Sequence, residues 1–496
     1  MKKIPLWLDM ETSAFPKLEG DDECDVLIIG GGIAGVTVGY FLSQSHKKVI
    51  LVDGARIGRG VTGHTTAKIT SLHHLLYRDL SEKLGEDTAR SYGRANQEAI
   101  DLIEEIVRKE NIDCHFARNR MSVYAEAEGD TDHPREEAEV AAKLGLPASY
   151  LEQSELPFGI AGAVSFDHQA QFHPLKYLSA LAEIAARSIE IFENSRAVAL
   201  DEGDLVRVEF ENDSVVRAKA VVLATHYPFY DKKGGLFARL IPDRDYALAI
   251  KPETRVDGMY ISSAAATYSI RPYQDLLVVG GVTHRPGTVS DTEGCYRKLE
   301  EYMHERVGIA EIRYRWSTQD NFTADRMPYI GPISQDTPNI YVATGFNGWG
   351  MSNGTMAGKL IADLVEGKEN SYEKTFDPSR FSLRVEGGRL LSHSWETAKE
   401  FASGKFGGTV DLKEIREGEG GVVEYGGDKI SVYRDENGKL HGVKPQCTHM
   451  GCIVSWNNAE KSWDCPCHGS RFDYTGKVIQ GPAAKNLERT KVDDSL

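Results

Sequence analysis

Near the C-terminus the chain reads Cys447-Thr448-His449-Met450-Gly451-Cys452, then twelve residues, then Cys465-Pro466-Cys467-His468-Gly469-Ser470. No other stretch restricts the fold as strongly. Two thiols and two imidazoles at such short spacings form a metal ligand set, and a bound metal centre pins both loops together. Two cysteines and two histidines suit tetrahedral zinc; they also suit a 2Fe-2S centre in which two histidines replace two thiolates on one iron. Zinc leaves the second cysteine pair and the flanking Gly-Ser without a role, whereas the iron-sulfur reading uses every position.

The full pattern, C-T-H-x-G-C followed by C-P-C-H-G-S, resembles Rieske proteins, and the resemblance covers residues 415–496. It implies that Cys447 and Cys465 hold one iron through sulfur while His449 and His468 hold the other through imidazole nitrogen. Cys452 and Cys467 then correspond to the disulfide of the cytochrome bc and soluble ferredoxin-like branches, a pair that the centres of ring-hydroxylating oxygenases usually lack. Ser470 matches a family serine whose hydroxyl donates to a cluster sulfur and raises the potential. Phe472 stands where high-potential relatives carry a tyrosine, which predicts a potential in the middle of the Rieske range of roughly −150 to +300 mV. Gly481-Pro482-Ala483 resembles the loop that covers the cluster, with Ala484 in place of a second proline.

At the other end, Asp25-Val26-Leu27-Ile28-Ile29 reads as a short apolar strand running into Gly30-Gly31-Gly32-Ile33-Ala34-Gly35, an apolar helix through Leu42, and a second strand, Lys48-Val49-Ile50-Leu51-Val52-Asp53. This is a β-α-β dinucleotide unit. Gly30 and Gly32 allow the tight turn and the close approach of backbone to pyrophosphate at the helix N-terminus, with Ile33 and Ala34 in the same turn, and Gly35 lets helix and strand pack closely. Asp53 stands where an acid accepts from ribose hydroxyls.

The fingerprint alone does not separate NAD from FAD. After the second strand comes a Gly and Thr loop, Arg59-Gly60-Val61-Thr62-Gly63-His64-Thr65-Thr66-Ala67, and the buried strand Ala220-Val221-Val222-Leu223-Ala224-Thr225 follows much later. Asp325-Arg326-Met327-Pro328 then precedes strand 340–344, the turn Gly345-Phe346-Asn347-Gly348-Trp349-Gly350-Met351 and an amphipathic helix over 352–366. This order resembles flavin oxidoreductases of the D-amino acid and glycine oxidase type over residues 20–370. The resemblance implies FAD, with Thr65, Thr66, Thr225, Gly345, Gly348, Gly350 and Met351 near it. It also points the positive end of the last helix at the flavin, suited to its anionic reduced form.

The expected architecture is a mixture of α/β and α+β domains. A Rossmann-type FAD-binding domain (20–80, 155–230 and 320–370) carries a mixed-sheet substrate domain (81–154 and 231–319), with alternating short strands and turns over 241–314. A linker over 371–414, containing a short helix near 395–402 and the Gly407-Gly408 turn, leads to a small all-β Rieske domain over 415–496. Four substrate-site candidates emerge. Arg271 and Tyr273 could clamp a carboxylate, as an Arg and a Tyr do in amino-acid oxidases of this type, while His64 and His226 fall in loops expected near the flavin.

The 496 residues carry a net charge of −16, yet residues 415–496 hold eleven basic and twelve acidic groups, so the acidic surplus lies on the flavoprotein part. That balance argues against nucleic acid as a partner. It serves solubility, or it steers a basic or neutral electron partner. Lys2 and Lys3 are not followed by an apolar run of signal-peptide length, and no stretch has the length of a membrane span. A cytoplasmic protein is expected, open to peripheral membrane association, with Cys24, Cys114 and Cys295 free.

Together these features predict an enzyme: a flavin-dependent dehydrogenase that oxidises a small amine, amino acid or hydroxy acid and passes electrons from FAD through the Rieske cluster to an external one-electron acceptor or redox partner protein. The alternative is an electron-transfer or redox-sensing iron-sulfur flavoprotein with no organic substrate of its own. A Rieske oxygenase fits less well, because no two-His-one-carboxylate iron site is evident.

Overall fold

Strand Asp22–Ile29 is apolar on both faces over its second half, and such a strand needs cover above and below. In the computed structural model it lies inside an eight-stranded sheet, parallel to Val49–Val52 on one side and to Val215–His226 on the other. The main path of the sheet continues through Ile340–Thr344 to Tyr329–Pro332 at one edge and through Glu190–Phe192 at the other. Helix Ile33–Leu42, buried on almost every side, packs between helices Gly350–Val365 and Pro174–Ala185. The structure describes residues 1–126, 132–230, 232–380 and 409–492. The predicted helix near 395–402 and the Gly407-Gly408 turn lie outside these residues.

A nine-stranded mixed sheet forms the second layer, with Ile309–Thr323, Leu240–Pro252, Leu276–His284, Tyr268–Tyr273 and Met259–Ser262 in that order. It draws on more of the chain than expected. Gly162–Gln171 and Lys68–Ile69 fall in segments assigned above to the dinucleotide half, yet both belong to this sheet, because Gly162–Gln171 pairs along its length with Ala117–Ala125. The stretch 241–314 is also not all strand. Helix Thr292–Val307 interrupts it, capped by Asp291, which accepts from the Gly294 amide at 2.8 Å, and it buries Cys295, Tyr296, Leu299, Met303 and Val307 at helical spacing.

Residues 371–380, expected in the linker, instead pack onto the flavoprotein. Phe376 is fully buried, and Arg380 donates to Asp325 Oδ2 at 2.7 Å. The C-terminal part holds two four-stranded antiparallel sheets. One contains Gly420–Tyr425, Asp428–Arg434, Leu440–Val443 and Arg489–Thr490; the other contains Ser455–Asn457, Ser462–Asp464, Arg471–Asp473 and Val478–Gln480. The two cysteine-histidine loops emerge from these strands on one side and meet. Among the described residues no helix is long and apolar enough to cross a membrane.

Candidate active site and cluster centre

The strand, turn and helix at 22–42 position the dinucleotide cleft by steric necessity. Gly30 has φ 114°, and a Cβ there would lie 2.4 Å from the Ala224 carbonyl; a Cβ on Gly35 would lie 1.9 Å from the Gly30 carbonyl. Replacing Gly35 with alanine is therefore expected to push helix from strand at a cost of about 1–3 kcal/mol and to lower the FAD retained per chain, measured by flavin absorbance and Tm. Asp53 ends the second strand, and its two carboxylate oxygens accept from the amides of Gly31 and Ala55, each at 2.7 Å. Burial raises its pKa against the pull of those two bonds.

Gly30, Gly32, Ile33, Ala34, Asp53, Thr65, Thr225, Gly348, Gly350 and Met351 line a single cleft of about 280 Å³, into which the N-terminus of helix Gly350–Val365 opens. Three expected residues stand back from it. Gly35 serves the helix-strand contact, Thr66 lines a neighbouring cavity, and Gly345 holds a φ of 70° in the turn before the helix.

His64 and His226 both line the cleft, and burial pushes each imidazole down to about 4. His64 Nδ1 lies 2.8 Å from the Gly60 carbonyl. The His226 carbonyl accepts from Asn321 Nδ2 at 3.1 Å and Thr344 Oγ1 at 2.5 Å, whereas its buried Nε2 has no hydrogen-bond partner among the described residues. Arg271 and Tyr273 are placed elsewhere, outside both cavities. The Arg271 guanidinium donates to Gln171 Oε1 at 3.2 Å and to the carbonyls of Thr66 and Phe172 at 2.7 Å each, and the Tyr273 hydroxyl lies 3.0 Å from His115 Nδ1. The expected carboxylate clamp is thus a buried strut between strands.

Arg244 was not anticipated. It is 1 % exposed and lines the cleft, and among the described residues its Nε and Nη1 have no hydrogen-bond partner. A buried guanidinium with two unmet donors calls for an electron-rich group in that cleft. With the glycine turn and the open helix N-terminus, this donor set fits FAD.

In the C-terminal domain, Cys447 and Cys465 are buried side by side. The Cys465 thiol donates to Cys447 and holds it below the ordinary thiol range, while Cys465 itself is held above it. The Ser470 hydroxyl also bonds to Cys447 and accepts from the Ala483 amide at 3.0 Å. The rings of His449 and His468 stand 5.0 Å apart and nearly perpendicular, and His449 Nδ1 is buried with no partner among the described residues. Two adjacent sulfurs and two converging imidazoles match the donor set of a 2Fe-2S centre of Rieske type. Cys452 and Cys467 are joined as a disulfide, and Cys465 Sγ lies within 4.8 Å of both sulfurs.

The two sites abut. Ile479, Gln480, Gly481, Pro482, Ala483 and Ala484 form part of the wall of the dinucleotide cleft. The His449 ring lies 6.4 Å from Tyr227, another cleft residue, and the His468 ring lies 6.3 Å from Phe237. Gln319 Nε2 donates to the Gly469 carbonyl at 2.8 Å. Beneath these contacts Glu460 accepts from Arg244, Ser317 and Arg471, and Arg471 Nε also donates to Asp464 Oδ1 at 3.0 Å.

Comparison with known proteins agrees with this architecture. The family described as FAD dependent oxidoreductase matches residues 25–364, and the Rieske [2Fe-2S] domain matches residues 409–491. YhfW of Bacillus subtilis (strain 168), named as a Rieske 2Fe-2S iron-sulfur protein, is 40% identical over 487 residues, covering 97% of this chain and 96% of that one. Gamma-glutamylputrescine oxidoreductase of Escherichia coli (strain K12) is 25% identical over 72% of this chain and 87% of its own. Among solved structures, glycine oxidase from Geobacillus kaustophilus superposes with a TM-score of 0.59 at 20% identity, covering 73% of this chain and 99% of that one. L-proline dehydrogenase from P. horikoshii gives 0.60 at 19% identity, covering 73% and 98%. The chain belongs to the FAD dependent oxidoreductase family and joins that fold to a C-terminal Rieske 2Fe-2S domain.

Proposed function

We propose that this protein is a dehydrogenase that oxidises a small amine, amino acid or hydroxy acid and delivers the electrons, by way of FAD and the Rieske cluster, to an external one-electron acceptor. The observation that carries this reading is the packing of His449 against the dinucleotide cleft, with Tyr227 lining the cleft and facing it. When bound, FAD supplies two-electron acceptance and the cluster supplies one-electron relay.

The chain's own residues divide the remaining work. Gly30 to Ala34 and Asp53 bind the dinucleotide, and the N-terminus of helix Gly350–Val365 with Arg244 favours negative charge in the cleft. Cys447, His449, Cys465 and His468 hold the cluster, and the Cys452–Cys467 disulfide and the loop over 481–484 keep water from it. Met450, next to His449, is 51% exposed and offers an outlet toward an acceptor. A cavity of about 390 Å³ shares Thr65, Thr318, Asp320 and Gly348 with the dinucleotide cleft, which supports a substrate-using enzyme over a sensor without one.

Anaerobic mixing with candidate substrates in a stopped-flow instrument tests the reading. Flavin bleaching is expected first and cluster bleaching after it; a reduced flavin beside a cluster that stays oxidised would count against the relay. Phe472, fully buried between Trp463 and Val478 on paired strands, gives a second check. Phe472→Tyr adds a hydroxyl able to donate to the cluster, and a hydrogen bond of about 1 kcal/mol corresponds to a rise of about 40 mV for one electron in a redox titration.

A further inference from the structure

The cavity beside the flavin cleft has an uneven charge pattern that narrows the substrate. Strands Leu240–Pro252 and Ile309–Thr323 pair antiparallel with Asp243 opposite Asp320 and Asp245 opposite Thr318. Side chains alternate across a sheet, so these four share one face while Arg244 and Gln319 occupy the other, toward the Rieske domain. Asp243, Asp245 and Asp320 accordingly line the cavity together, and Asp320 also lines the flavin cleft. Directly opposed like charges destabilise a sheet. The Asp320 carboxylate makes no hydrogen bond to another described residue, and among those residues the buried Thr318 Oγ1 beside it has no partner.

Two cations stand elsewhere on the cavity wall, Arg326, which donates to the Leu75 carbonyl at 3.0 Å, and Lys68. Lys68 is 7 % exposed and reaches Ser269 Oγ, with Thr66 Oγ1 at 3.3 Å. Ser269 belongs to strand Tyr268–Tyr273, two positions along the sheet from the aspartate strand Leu240–Pro252. Two strand spacings put the lysine end roughly 10 Å from the aspartate wall. Burial pushes Asp320 up and Lys68 down, each to about 7, so both charged forms are short of a counter-ion.

We infer that the cavity takes an amine whose ammonium sits among Asp243, Asp245 and Asp320 at the flavin side and whose remote carboxylate meets Lys68 and Ser269. This rests on the dehydrogenase reading above and deepens it. An α-amino acid carries its two charges on neighbouring carbons and cannot reach both walls; an ω-amino acid or an acylated diamine with a distant carboxylate can.

The holoenzyme tests this by anaerobic titration, with the visible spectrum of oxidised flavin as the binding signal. The probes are the six-carbon ω-amino acid, its α-amino isomer, hexylamine and hexanoate. The ω-isomer is expected to bind about tenfold or more tighter than each of the other three, since each lacks one of the two matched contacts. Lys68→Met should bring it down to the level of hexylamine, and Asp320→Asn to the level of hexanoate. Equal or tighter binding of the α-isomer or of hexanoate by the wild-type protein would overturn the inference, and needs no variant to fold. Because the signal reports binding, it is separate from the relay: cluster reduction by a substrate of another class would leave the relay standing and remove only this assignment.

Discussion

Cys465→Ser is expected to remove the visible and EPR signatures of the Rieske centre and to leave FAD bound and reducible by substrate. Cys465 is 1% exposed and lies against Cys447 and the Cys452–Cys467 disulfide, so no water-exposed substitute ligand is at hand. Electron delivery to a one-electron acceptor should fall by about a hundredfold or more, the upper end of what disturbing even the supporting shell of a metal site does. Comparing flavin reduction with acceptor reduction in one preparation checks it. Equal loss of both would point to a folding defect, while unchanged acceptor reduction would show that electrons leave the flavin by another route.

Glu460→Ala should separate the two halves of the reaction in a different way. Glu460 accepts from Arg244 on the flavoprotein and from Arg471 on the Rieske domain, and both guanidiniums are buried. Removing the shared carboxylate leaves the buried Arg244 cation without its counter-ion and Arg471 with Asp464 alone, a loss of about 3–5 kcal/mol. Spread over the docking equilibrium, about 3 kcal/mol shifts the population on the order of a hundredfold toward separated domains. Transfer from flavin to cluster is expected to slow far more than substrate reduction of the flavin, with a wider particle in small-angle scattering. Glu460→Gln keeps hydrogen-bond acceptance and should lie between the two. A variant that transfers electrons at the wild-type rate would mean that this carboxylate does not hold the domains in register.

Both sites were legible in the sequence where their chemistry is local. The cysteine-histidine loops and the Gly30 to Gly35 turn are short segments whose spacing alone brings the right atoms together, and the structure builds a donor set from each. Arg271 shows the limit of that reasoning. Its Arg-Pro-Tyr setting looked like a clamp, but three carbonyl or amide oxygens from distant segments surround the guanidinium, and nothing in the neighbouring residues announces them. The aspartate wall was hidden for a related reason. Asp243, Asp245 and Asp320 meet only through antiparallel pairing of strands more than seventy residues apart, although charged residues alternating inside an apolar strand were a readable sign of a working surface. Helix Thr292–Val307 left a clearer trace, an Asp291 cap before a run with buried positions three and four apart, and the β-rich stretches on both sides masked it.

The loop Gly481 to Ala484 belongs at once to the cover of the cluster and to the wall of the FAD cleft. That wall comes from a segment more than four hundred residues further along the chain than the glycine turn that receives the dinucleotide. The flavin pocket is therefore complete only with the iron-sulfur domain folded against it. Deleting the loop should cost the chain flavin as well as cluster, whereas loss of a single cluster ligand leaves that wall standing.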